Sequence, residues 1–567
     1  MKKLTRTLAA VLTASVVFAL LFVVLVLPPR AVRLDSSAWR DVAARTVSGA
    51  YHVHTSRSDG SGDKDHVAAA AARAGLQFVI LTDHGDATRP PDPPVYLHGV
   101  LCIDAVEIST DGGHYVAIDM PAAPYPLGGA PAAVVEDVSR LGGFGIAAHP
   151  DSPKASLQWR DATAPIDGIE WLSADTEWRN ESRRALTRAA LGYFLRPGPA
   201  LATLLNRPAT LNRWDAMVRT RRVVALAAHD AHGGIGRTAE DGSRRFVADM
   251  PTYEATFRTF AIRVAMDRAW AGDAATDALA LLTSIRAGRV FTTIDALAAP
   301  GLLEFHAETA RGRIEMGSAV PAGTAARLVA RVLAPPGAQV LIVDDSLLRR
   351  RGGLSALGAS RRVGQDGTQE LQTQLGAGEG AFRVEVNVPS APGTPPVPWL
   401  LSNPIYFLPA PISRVEGAVS EAGEAIDPAT WRVERDSGSS AALIAGPPPV
   451  LGYTLQAGER RSQFVAVAAP ISRKAFGAIR LRLRADRPMR VSVQLRRPDG
   501  QRWRESIYVD ATVRDLIIPV ARLAAVGERS EPIESTQVES LLLAIDLVNA
   551  VPGSSGQLTI ERVVLVS

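Results

Sequence analysis

Several short tracts of this sequence carry side chains suited to holding metal ions: His52-Val53-His54, Asp59, His84, Glu107, His114, His149 and Asp230-Ala231-His232. Imidazole and carboxylate without thiolate suit zinc, manganese or iron and do not choose among them. If residues 49–54 form a strand, alternation puts His52 and His54 on one face, a ready pair of ligands. Four separate apolar runs end in polar tips that bear histidine, and all but one of the ten histidines fall in the first half of the chain. A glutamate such as Glu107 could bridge two ions. Two ions about 3.5–4 Å apart can bind a phosphate oxygen and a water nucleophile together, and they lower the pKa of that water towards about 7. No serine or cysteine nucleophile is then required. The sequence also has no Gly-Lys-Thr phosphate loop and no Gly-x-Ser-x-Gly elbow.

The elements that must position these groups alternate. The alanine-rich stretch Asp63 to Ala74 predicts a helix capped by Ser61 or Asp63 and ended by Gly75. Apolar runs predict strands at Gln77 to Gly85, Leu101 to Ser109, His114 to Met120, Phe144 to Pro150, Asp167 to Leu172 and Val223 to Gly233. A helix is expected at Ala132 to Leu141 and another at Thr276 to Ala287, followed by the run Arg289 to Ile294. Strands alternating with helices argue for a parallel sheet or barrel, in which functional groups gather at the C-terminal strand ends. An insert at about 173–222, with Trp178, Trp214 and many arginines, reads equally as a lid or as a surface excursion.

In order, His52-x-His54, Ser58-Asp59-Gly60, Thr82-Asp83-His84, Glu107, His149-Pro150 and Asp230-x-His232 resemble the PHP (polymerase and histidinol phosphatase) superfamily over about residues 48–295. The spacing is that of its small phosphoesterases. The resemblance implies a distorted (βα)7 barrel holding two or three divalent ions. His52, His54, Glu107 and Asp230 would hold the first. Glu107, His114 and His149 would hold the second, and Asp59, His84 and His232 the third. Two positions depart from the pattern: Tyr51 precedes the first histidine, and His229 precedes the last Asp-x-His. His229 could reach substrate or only support a ligand. Arg57, in the first loop, could hold a substrate phosphate or be a structural arginine. The candidate catalytic groups are thus Glu107, Asp230, His229 and Arg57. His66, His98 and His306 are expected to be exposed bystanders.

The chain has 567 residues, 47% of them apolar, enough for two to four cored domains. Its formal charge is +4 and its pI about 9.3, with arginines scattered and no basic stripe, so duplex nucleic acid is not an expected partner. The lone Cys102 excludes an intrachain disulfide. Lys2, Lys3 and Arg6 precede an uncharged run from Thr7 to Leu27, about the length that spans a bilayer. With no Ala-x-Ala at its end, residues 1–30 read as an uncleaved anchor rather than a secretory signal. The positive-inside rule puts the body outside the cytoplasmic membrane, against a small opposing contribution from Arg30 and Arg33. Cleavage would give a secreted protein.

The expected order is therefore anchor 1–30, linker 31–47, metallohydrolase barrel 48–298, a small β-sandwich 299–409, a linker 410–440 and a jelly-roll-like sandwich 441–567. The run Ser402-Asn403-Pro404-Ile405-Tyr406 resembles a C-terminal sandwich run found beside aryl-carbamate hydrolases of the same superfamily. Trp503 or Tyr508 could stack on a sugar in the last domain, which otherwise reads as a docking module. The expected activity is metal-dependent hydrolysis of a phosphate mono- or diester, including nucleotides. The alternatives are carbamate or amide hydrolysis at the same site, or an envelope glycan-binding scaffold.

Overall fold

A computed structural model describes residues 2–238, 244–344, 356–410, 423–472, 474–527 and 532–566. The chain opens on the helix Lys2–Leu25, whose Thr7–Val24 stretch is long and apolar enough to cross a membrane and has no residue buried in the protein. Beyond it, the described residues are mostly β-sheet.

Two sheets position the candidate ligands. In one, Val224–Ala228, Gly168–Ser173, Phe144–Ala147, Gly113–Ile118 and Val106–Thr110 lie side by side in that order. In the other, Ala261–Ala265, Thr46–Val53, Phe78–Leu81 and Val100–Asp104 are neighbours in that order. Thr46–Val53, Phe78–Leu81 and Val100–Asp104 run parallel. Helix Lys64–Ala74 joins the first two of these. It starts where the Asp63 carboxylate accepts the His66 N–H, and it ends at left-handed Gly75. The expected single strand Leu101 to Ser109 is instead two strands, broken at Ala105. There the chain leaves one sheet for the other, which puts Glu107 in the second sheet. At one end the two sheets meet through parallel bridges, Val53 to Ala231 and His84 to Glu107. That end carries the histidines.

The region after residue 299 does not stand apart from this unit. Strand Leu400–Ser402 pairs with Val290–Thr293, so one sheet of the small sandwich continues the first unit's sheet. The sandwich's other sheet is built of Gly312–Glu315, Leu302–Thr309, Ala326–Leu333 and Thr368–Leu375. One apolar core runs from Val47 to Phe407. Asn403 explains the Ser-Asn-Pro run. Its side-chain amide accepts from Ala225 N at 2.8 Å and donates to Ala225 O and Val290 O at 2.9 Å each. One buried amide thus satisfies backbone groups on strands of both sheets.

The last sandwich begins earlier than its pattern suggested. Part of the expected linker 410–440 lies outside the described residues. The rest supplies strand Gly423–Ala425, paired with Ser555–Val566, and strand Arg432–Arg435, paired with Phe464–Pro470. Buried Trp431 anchors this segment in the sandwich core. The sandwich also docks on the first unit. The Arg490 guanidinium, 1% exposed, bonds to both Asp137 oxygens at 2.7 and 2.8 Å, to Glu136 at 2.8 Å, to Ala133 O and to Ser506 O. Trp503 is buried in the sandwich core, and the Arg140 guanidinium lies 3.7 Å over the Tyr508 ring. Trp503 is therefore not free to stack on a sugar as the sequence suggested, while half-buried Tyr508 lines a surface cleft beside Arg140 and Arg514.

Candidate metal centre

All nine predicted ligands converge where the two sheets meet. His52 Nε2 lies 3.4 Å from Glu107 Oε2 and 3.6 Å from Asp230 Oδ1, and His54 Nε2 lies 3.3 Å from each of the same two oxygens. Ligands about 2.0–2.1 Å from a tetrahedral ion stand about 3.3–3.4 Å apart, so these spacings fit one. His52 Nε2, His54 Nε2 and Glu107 Oε2 are also buried without any hydrogen-bond partner. Orphaned polar atoms in a protein interior are costly, and three facing one point are what a cation would satisfy.

Glu107 faces both ways. Its Oε2 meets His52, His54 and His84 (3.1 Å to Nδ1), while its Oε1 meets His114 Nδ1 and His149 Nε2 at 2.8 Å each. Asp59 faces His232 Nε2 at 3.2 Å, His54 Nδ1 at 3.3 Å and His84 Nε2 at 3.8 Å. Groups of three with ligand atoms mutually close enough for an ion include His52–His54–Glu107, His84–Glu107–His114 and His54–Asp59–His84. His84 therefore faces Glu107 and His114 as well as Asp59.

The aim of His52 does not come from strand alternation. Its backbone is left-handed, φ 62°, and the strand's register with Phe78–Leu81 shifts between Tyr51 and Val53. His149 (φ 31°) and Asp230 (φ 45°) are left-handed too. Such strain costs of order 1–3 kcal/mol per residue and persists only where the surroundings enforce it. Two glycines make room for the loops. A Cβ on Gly60 would stand 2.3 Å from His54 O, and one on Gly233 (φ 72°) would stand 2.3 Å from Ser61 Oγ. Asp83 then fixes the first loop by accepting Thr55 N, Thr55 Oγ1 and Ser58 Oγ.

The electrostatics match the geometry. Burial favours a neutral Glu107, but His52, His84 and the other imidazoles outweigh it and hold the carboxyl well below the usual range. Asp230 is held well below its usual range in the same way, burial again being outweighed by His52 and its neighbours. Burial also opposes charge on His52, yet Glu170, Glu107 and Asp230 hold its imidazole well above the ordinary value. His149 is pushed up to about 9 because Glu107 overrides its burial.

Glu170 escaped the sequence reading. It is buried in strand Gly168–Ser173, where Oε1 accepts from His52 Nδ1 at 2.6 Å and Oε2 accepts from His149 N at 2.7 Å. This bond turns Nε2 of His52 towards Glu107. The available signal was an acidic residue inside the apolar run Gly168-Ile-Glu-Trp-Leu. Glu170→Gln is expected to weaken metal affinity about tenfold with the fold intact, measured by competition with a fluorescent chelator.

Two predicted catalytic residues are held by groups outside the ligand cluster. His229 is buried, stacks on Phe260, and turns Nε2 to Phe260 O (2.9 Å) and Nδ1 towards Tyr51 O. Burial lowers its pKa to about 4, so its ring is neutral at pH 7, and it lines the cleft behind Asp230 with both ring nitrogens facing backbone carbonyls. Arg57 is held by Asp92 at 2.6 Å and Asp104 at 2.9 Å, which leaves its charge matched. His306, expected to be exposed, is buried.

The insert walls a cleft beside Asp230 and His232, lined by Trp178, Arg179, Leu201, Leu204 and Leu205 among others. Arg179, paired with Asp175, is the cation within that lining. Glu177 lies behind the wall, and burial pushes its carboxyl up to about 7 although it accepts Asn206 N. A carboxyl whose folded pKa is raised favours the folded state only while protonated. Its contribution is therefore present below about pH 4.5 and lost as pH rises through about 7. Glu177→Gln is expected to gain of order 2–3 kcal/mol on wild type between pH 5 and pH 8, read as the difference in urea unfolding free energy.

No protein-family model matches the chain, and no curated protein matches it. Similar solved structures include the family 11 carbohydrate-binding module of the cellulosomal cellulase Lic26A-Cel5E of Clostridium thermocellum, at 13% identity, covering 26% of this chain and 96% of that one with TM-score 0.21. A variant of a family 29 carbohydrate-binding module is 10% identical and covers 25% of this chain and 86% of its own, with TM-score 0.18. An exo-β-agarase is 9% identical over 26% of each chain, with TM-score 0.20.

Proposed function

We propose that this protein is a metal-dependent hydrolase of phosphate esters, held to a membrane by its N-terminal helix. The observation that carries this reading is the convergence of buried, unpartnered His52 Nε2, His54 Nε2 and Glu107 Oε2 on one point beside Asp230. His52, His54, Glu107 and Asp230 would hold one divalent ion. Glu107, His114 and His149 would hold a second, and Asp59, His84 and His232 a third, in keeping with the resemblance to the PHP superfamily. On this reading the two sheets are the halves of that superfamily's distorted barrel. When bound, such ions supply Lewis acidity and lower the pKa of water. The chain's own residues do the rest. Glu107, through both oxygens, ties the two halves of the ligand set together. Glu170 keeps His52 in one orientation. Arg179, which bonds to Asp175 through Nε, would turn the other nitrogens of its guanidinium to a phosphate at the cleft wall. Leu201, Leu204 and Leu205 give that wall an apolar face that excludes water.

The test uses the full chain in detergent, with metal content measured and activity assayed on aryl phosphates, cyclic and oligonucleotide diesters, and aryl carbamates, with and without chelator. Chelator-sensitive hydrolysis of a phosphate ester is expected. Hydrolysis confined to the carbamates would move the reading to carbamate chemistry. Bound metal with no hydrolysis of any substrate would favour a glycan-binding scaffold, to be followed by glycan pulldown. Activity that survives both chelation and the paired His52→Ala, His54→Ala change would refute the mechanism.

A further inference from the structure

Three large apolar side chains stand exposed together on the insert: Leu191 at 48%, Phe194 at 76% and Leu195 at 63%. Single exposed apolar residues are ordinary, but a contiguous group calls for a partner. They follow or end helix Arg183–Tyr193, which also exposes Arg183, Arg184 and Arg188. Basic side chains joined to exposed Phe and Leu make the composition of an interfacial element.

The position of this turn names the partner. The Arg196 guanidinium bonds to Pro28 O, and a Cβ on Gly192 would stand 3.1 Å from Pro28 Cδ and 3.5 Å from Val26 O. Val26 and Pro28 mark the end of the apolar run that begins at Thr7. If that run crosses a bilayer, residues touching its end lie at headgroup depth. The same turn continues into the cleft wall. Tyr193 OH accepts from Thr252 N at 3.0 Å, next to Pro251 in the cleft lining. Helix Pro197–Ala202 leads directly from the turn to Leu201, Leu204 and Leu205.

We infer that the turn 191–196 seats in the interfacial layer of a phospholipid bilayer, as a second contact beside the N-terminal helix, and that the cleft it borders takes phosphate esters of amphiphiles held in that layer. The apolar wall receives the part of the substrate nearest the ester, and the rest of its chain stays in lipid. The exposed arginines favour anionic headgroups. This rests on the membrane and phosphoesterase readings above.

The experiment separates the three. The full chain, with Cys102→Ala, is labelled with an environment-sensitive fluorophore at Phe194→Cys, at Phe18→Cys in the N-terminal helix, or at Leu279→Cys, exposed on helix Ala274–Arg286. Each is reconstituted in phosphatidylcholine–phosphatidylglycerol vesicles carrying lipid with a spin label high on its acyl chain. Labels at 18 and 194 are expected to be quenched and the label at 279 not. Quenching at 18 with 194 as unquenched as 279 overturns the inference and leaves the anchor standing. No quenching at 18 overturns the anchor and the inference with it. In the second arm, Phe194→Glu with Leu195→Glu is expected to raise KM about tenfold for a diacyl phosphate monoester in vesicles, with p-nitrophenyl phosphate hydrolysis unchanged. Equal effects on both substrates, or hydrolysis of the soluble ester alone, overturn the amphiphile assignment. Hydrolysis of neither overturns the amphiphile monoester assignment, the diester assays above then decide the phosphoesterase reading, and the quenching result still decides the seating.

Discussion

On the proposed metallohydrolase reading, Glu107→Gln is expected to strip the centre of metal and to lower hydrolysis by at least about 100-fold, more than loss of a supporting hydrogen bond would. The reason is positional. Five imidazoles face this one carboxylate, three on Oε2 and two on Oε1. The amide keeps the shape but removes the charge and turns an N–H₂ towards nitrogens that should donate to a cation. Metal stoichiometry by mass spectrometry, with activity on the same sample, reads the result. Glu170→Gln provides the scale, since it leaves every ligand atom in place. His66→Ala is the control, because His66 packs on Tyr253 outside the cluster. Full metal content and wild-type rate in Glu107→Gln would remove it from the centre.

The second large effect lies between the last sandwich and the first unit. Arg490→Met is expected to cost about 3–5 kcal/mol, because it leaves Asp137, 2% exposed, as a buried carboxylate without its cation. The pair itself contributes much less than that figure, since both charges were desolvated to form it. Arg490→Met combined with Asp137→Leu should therefore recover most of the loss. Pulse proteolysis in urea, following the sandwich fragment, reads both variants. If the double variant were as unstable as the single one, the cost would lie in lost packing rather than in an unpaired charge.

The buried cluster of histidines and carboxylates was legible because the chemistry expected of it restricts residue type. Histidine and carboxylate at the ends of apolar runs announce themselves without any knowledge of the pairing. Glu170 was not legible, since a single acidic residue in a strand has no type signature and only the position of His52 gives it a role. His229 and Arg57 carried the right chemistry, but the direction of a ring or a guanidinium depends on neighbours far away in the chain, Phe260 for one and Asp92 and Asp104 for the other.

The elements divide in the same way. Helix Lys64–Ala74 was readable to its caps, because Asp63 and Gly75 act within one turn of it. The break at Ala105, the left-handed His52 and the plugging of both sheets by Asn403 depend on pairings across long sequence separations. Local pattern could separate β-rich from mixed segments, yet it could not show that the small sandwich shares a sheet with the first unit. By itself the sequence determined which histidines and carboxylates gather in the buried cluster, the apolar N-terminal helix and the β-rich second half, because each rests on residue type and local period. Only the tertiary structure decided that Glu107 faces both groups of histidines, that the insert walls the cleft and that the last sandwich is locked by Arg490. Those are matters of which distant surfaces meet, and burial and charge pairing choose them after the local elements have formed.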